Sequence, residues 1–149
     1  RRKISQEPIT GKEEINKDQI RIEHTLNELE KKNNAKKIAA LYVQTTFAPY
    51  LKDLDIAQLY NYVDLYAERM DFKNGSPIKV DNRLTTTDIF HFGWNIWNHF
   101  QVSDQMQMAR FLKTVFLYAL RDVEVETIKK KLKIFEPNCI IQIRENLSE

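Results

Sequence analysis

Three glycines in 149 residues leave this chain little material for the tight turns that an all-β fold requires. Proline is nearly as scarce, with four. Long stretches free of both breakers repeat apolar residues at spacings of three and four, the period of a helix with one buried face. The chain therefore reads as mainly α, a compact bundle of about five to six helices around one core. Strand composition occurs in two short places, Ile78-Lys79-Val80 and Cys139–Ile143. These predict a short two-stranded β element, 78–80 with 139–143.

Residues 1–12 carry Pro8 and Gly11 among polar neighbours and read as a disordered tail or linker. Residues 13–34 read as a charged helical arm. Its apolar stripe over 13–32 is narrow, with Ile15, Ile22, Leu26 and Leu29 set among alternating Glu and Lys. Asn33-Asn34 predicts a break, and 35–149 reads as the helical body. Within the body, Ala35–Phe47 is a helix that ends before Pro49, because the residue preceding proline avoids helical geometry. Asp55 opens the next helix, which repeats Ile56, Leu59, Tyr60, Val63, Tyr66 and Met70. Phe72–Leu84 is irregular around Asn74-Gly75-Ser76-Pro77. Thr85-Thr86-Thr87-Asp88 opens a helix to Phe100, Ser103 or Asp104 opens one to Leu120, and Asp122 caps a last one over 123–135.

The 85–100 segment carries the most information. At about 100° per residue, Ile89, Phe90, Phe92, Gly93, Trp94, Ile96, Trp97 and Phe100 cover more than half of its circumference. Such a helix must be packed on two sides, and Gly93 predicts a close helix–helix approach beside the tryptophans. The opposite face is polar: Asp88, His91, Asn95, Asn98 and His99. Two histidines with a carboxylate invite a metal or acid–base reading. However, His91 and His99 lie about 12 Å apart along the axis, too far for one ion. A solvated face or a hydrogen-bonded groove accounts for this row better.

Function classes narrow by chemistry. The sole cysteine, Cys139, allows no intramolecular disulfide and no multi-cysteine zinc site. In its apolar run it reads as buried and inert. A reducing cytoplasm suits such a chain. No apolar run is long enough to span a bilayer, so no membrane partner is expected. Arg1-Arg2-Lys3 leads into polar residues rather than the apolar core of a signal peptide. The absence of a starting Met reads as a piece of a longer protein. No nucleophile, phosphate-loop, dinucleotide or zinc-protease motif occurs, so the chain reads as non-enzymatic, without cofactor or metal.

Two binding readings follow. The net charge of +2 does not by itself mark a nucleic-acid binder, but the C-terminal charge is clustered. The run Glu126-Thr127-Ile128-Lys129-Lys130-Lys131-Leu132 resembles the second helix of a helix-turn-helix, over about 111–135. Val125, Ile128, Leu132 and Phe135 would face inward. The resemblance implies a regulatory or nucleic-acid-binding domain that contacts duplex DNA. Its candidate contacts are Arg110, Lys113, Arg121, Thr127, Lys129, Lys130, Lys131 and Lys133. The alternative is a protein–protein interaction module of a larger protein or assembly, which binds another chain or itself through the 13–32 stripe.

Overall fold

The computed structural model describes the backbone of residues 6–71 and 75–149 and the side chains from Asn16 onward, those of 72–74 excepted. Of the expected tail, residues 1–5 lie outside the described residues. From Gln6 the backbone is helical, and helix α1 spans Gln6–Phe47. The expected break at Asn33-Asn34 does not occur. Asparagine is a weaker helix former than alanine, but it keeps its backbone N–H and its φ freedom, so it does not interrupt the ladder. By compactness the chain divides into two units, residues 1–34 and Ala35–Glu149.

The second unit holds the end of α1 and four further helices: α2 (Asp53–Ala67), α3 (Thr86–Phe100), α4 (Gln105–Val115) and α5 (Val125–Lys131). All regular structure among the described residues is helical. Local chemistry sets most of the ends. Asp53 and Asp55 place negative charge in the first turn of α2, where the helix dipole favours it. Thr85 and Asp88 form a reciprocal capping box at the start of α3. Asp104 caps α4 by accepting the Gln107 N–H at 2.8 Å.

The core is aromatic. Phe92 of α3 meets Phe47 edge-on at 5.0 Å and Phe116 edge-on at 6.0 Å, and all three are fully buried. Tyr42 stacks on Phe92 at 5.9 Å, and Tyr66 tilts against Phe111 at 5.2 Å. As the wide apolar arc predicts, α3 runs buried from Asp88 to Ile96. Trp94 is buried, whereas Trp97 is half-buried, with its indole N–H donating to Ser103 O at 2.8 Å. α3 packs against α4 and α5, and α4 also packs against α2. Lys36 of α1 ties to α2 through Asp64 at 3.0 Å and through Glu68. The Glu68 hydrogen bond holds its ammonium pKa above the usual lysine range.

The C-terminal half departs from expectation in three linked ways. First, α4 stops at Val115 rather than Leu120. The Val115 carbonyl accepts the Ile78 N–H at 2.7 Å, which commits it outside the helix. Turns through 116–122 then place Phe116 and Leu120 inside and Leu117 and Tyr118 outside. Secondly, α5 begins at Val125 after Glu124, not after a cap at Asp122, and ends at Lys131. Phe135, expected inward on a longer helix, is therefore 86% exposed. Thirdly, the expected pairing of 78–80 with 139–143 is absent among the described residues. Ile78 spends its N–H on Val115, and the 139–145 backbone is bonded by side chains of α3 instead.

Candidate functional site

The polar row of α3 is hydrogen-bonded to the chain's own backbone. Asp88, His91 and Asn95 are all buried to 1% exposure or less. Asp88 Oδ1 accepts the Ile141 N–H at 2.8 Å, while its Oδ2 accepts from the Thr85 N–H and hydroxyl at 2.7 and 2.9 Å. Asn95 donates to Gln142 O at 2.9 Å and accepts the Arg144 N–H at 2.7 Å. Asn98 donates to Glu145 O at 3.1 Å. A row of side chains one turn apart thus replaces a neighbouring strand for the extended 141–145 segment. This satisfies the buried Ile141 N–H, which would otherwise have no partner, and adds part-buried bonds to Gln142 and Arg144. Of the two expected forms of this face, the hydrogen-bonded groove is the one present, and the chain's own C-terminal segment fills it.

Both histidines meet backbone carbonyls of the chain itself. His91 lies between two carbonyls, Nδ1 at 2.8 Å from Ile141 O and Nε2 at 2.7 Å from Ile134 O. A carbonyl only accepts, so each contact is a hydrogen bond only when that nitrogen carries a hydrogen. His99 Nε2 meets Ala35 O at 2.8 Å. Among the described residues no three His, Cys, Asp or Glu side chains are placed to share a metal ion. Cys139 is half-buried. Burial, then the nearby Asp88 charge, pushes its thiol above the ordinary range, which disfavours the nucleophilic thiolate.

The expected nucleic-acid contacts differ in exposure and in what they touch. Arg110 is exposed on α4 and borders a groove with Tyr66 and Ser103. Lys113 is half-buried and donates to Val123 O at 2.6 Å and Arg121 O at 3.4 Å, so it fastens the turn after α4. Lys133 places its ammonium 4.4 Å from the Trp94 ring centre. Thr127 is half-buried, and Arg121, Lys129, Lys130 and Lys131 are exposed. Nine residues, 116–124, join α4 to α5, against the three or four usual in a helix-turn-helix. The seven residues of α5 give an axis of about 10 Å. Glu126 at its start and three lysines at its end also match the helix dipole, which accounts for the charge pattern without a ligand.

The arm presents a different surface. Ile22, Leu26 and Leu29 are 53%, 58% and 52% exposed, and at about 100° per residue they fall within a narrow arc. Asp18–Arg21 at 3.1 Å and Glu28–Lys31 at 3.6 Å are exposed ion pairs within the helix. Ile20, on the other side, is 59% exposed.

Sequence reasoning located the arm stripe and the polar row but missed the groove beside Arg110. That groove depends on where α2 stops and on the backbone of Arg69, whose φ of 58° no local sequence signal announces. No family model matches this chain, and neither a curated protein nor a solved structure matches it. Among the described residues no helix is long and apolar enough to cross a membrane.

Proposed function

We propose that this chain is a protein–protein interaction module of a larger assembly, which engages a partner helix through the arm. One observation carries this reading: Ile22, Leu26 and Leu29 form a single apolar line on a charged helix, and each is more than half exposed. Most helical stability in proteins comes from packing an apolar face rather than from propensity, and this line is the apolar face that the charged arm has to offer. Burying a branched aliphatic side chain contributes about 1.5–3 kcal/mol, so three on one line are enough to decide whether the arm is occupied. The surrounding ion pairs contribute little by themselves and suit a rim that stays wet.

The test is site-specific photo-crosslinking in the native cell. A photoreactive residue at Leu26 should give a discrete adduct, and the same residue at His24, on the opposite face, should not. Equal labelling from both positions, or none from Leu26, overturns the reading. A second reading, duplex DNA contact through α5, draws on the exposed Lys129, Lys130 and Lys131 with exposed Phe135 beside them. Lysines of this kind act on phosphates as point charges.

A further inference from the structure

The end of α2 and the outer side of α4 border a groove of about 570 Å³, within the size range of small-ligand sites. Tyr66, Met70 and Val102 supply its apolar lining. The Tyr66 hydroxyl is fixed against Ser103 Oγ at 2.8 Å, which holds the ring in place. Two arginines border the same space, Arg69 from the end of α2 and Arg110 from α4. Both residues are exposed, and neither forms an ion pair among the described residues. The carboxylates there are differently placed. Asp104 already accepts the Gln107 N–H as a helix cap, and Asp71 has an interaction of its own.

The backbone of Arg69 is unusual for an arginine. It sits at φ 58°, in the left-handed region, just past the end of α2. The Met70 N–H reaches back to Leu65 O at 2.9 Å, closing the helix in the manner that normally calls for glycine. Glycine takes this conformation without penalty, whereas an arginine takes it at a cost. Gln101 takes the same conformation at the end of α3, so the conformation marks no site by itself; at position 69 it sets a second arginine beside the groove.

We propose that this groove binds a small oxyanion, carboxylate or phosphate, carried on an apolar body. Arg69 and Arg110 take the anion, since the guanidinium fork matches both kinds of oxygen pair. Tyr66, Met70 and Val102 take the apolar part. The site is distinct from the arm and does not depend on what covers the arm.

Calorimetric titration of the full chain with phenyl phosphate and with 3-phenylpropionate tests this. Inorganic phosphate and 3-phenylpropanol serve as the anion-only and body-only controls. At least one phenyl anion should bind saturably, at least tenfold more tightly than either control, and the tighter of the two identifies the oxyanion. Arg69→Gly should weaken that binding at least tenfold while raising Tm by a few degrees, because glycine relieves the backbone. A loss of binding in a more stable protein is not a loss of fold. Arg110→Gln should weaken binding similarly without the gain in Tm. The proposal is overturned if neither phenyl anion binds the parent chain, or if both variants bind as tightly as the parent.

Discussion

A methyl group built at position 93 would lie 2.3 Å from Leu112 Cδ1 and 2.9 Å from its Cγ. Leu112 is fully buried, so it has nowhere to withdraw. The expected close approach at Gly93 is therefore real, but its near neighbour is a leucine of α4. Alanine would improve intrinsic helix propensity by about 1 kcal/mol, yet overpacking a filled core costs roughly 1–3 kcal/mol. Gly93→Ala should thus lower stability in urea unfolding, and Gly93→Ala with Leu112→Ala should be less destabilised than the sum of the two single changes. Additive losses would show that the contact at 93 is not what matters. At this scale the sequence is informative about identity and silent about partners. The polar residues Asp88, His91 and Asn95 were visible as a row at helical spacing. That they face a chain segment some fifty positions later is set by tertiary packing, which no local pattern encodes.

At the scale of elements, legibility follows how local each boundary is. The capping box at Thr85 and Asp88 and the N-cap at Asp104 are written in neighbouring residues, and both helices start where those residues say. The ends of α4 and α5 are not local. α4 loses its next turn because Ile78 takes the Val115 carbonyl, and Phe135 then leaves the stripe it would have shared on a longer α5. The same shortening bears on the DNA reading, because α5 offers two turns rather than a long recognition helix. Its solvent face still permits a clean test. Lys129 and Lys130 are exposed and make no ion pair among the described residues, whereas the Lys133 ammonium lies over the Trp94 ring. Lys129→Glu with Lys130→Glu should leave circular dichroism unchanged and lower Tm by a few degrees, because two charges that match the helix dipole are reversed. If α5 contacts duplex DNA, the change should abolish binding in fluorescence anisotropy at low salt and flatten the salt dependence. Equal binding by parent and variant removes α5 from consideration.

At the scale of the whole molecule, the body is held in two unlike ways. Its helices meet through a filled aromatic core, whereas its last stretch is held largely by backbone groups. Ile141 and Leu147 are the buried anchors of that stretch, at 4% and 6% exposure, while Ile140, Gln142 and Glu145 face outward. The Arg144 guanidinium lies 5.3 Å from the Tyr42 ring centre, over the same face. A receptor that grips amides and carbonyls through Asp88, His91, Asn95 and Asn98 is indifferent to most of the side chains it holds. Covalent continuity should then be dispensable. With a protease site inserted between Pro137 and Asn138 and cut after folding, the severed dodecapeptide should stay with the body on size-exclusion chromatography. Asn95→Ala, which removes two of the backbone bonds at about 0.5–1.5 kcal/mol each, should let it go. Synthetic versions altered at Ile140, Gln142 or Glu145 should still displace it, and versions altered at Ile141 should not. If the cut peptide leaves the parent body at once, the grip is weaker than these contacts imply. If it stays, the body can be assembled from two pieces, and the 138–149 segment becomes an exchangeable handle through which a label or a second protein can be attached.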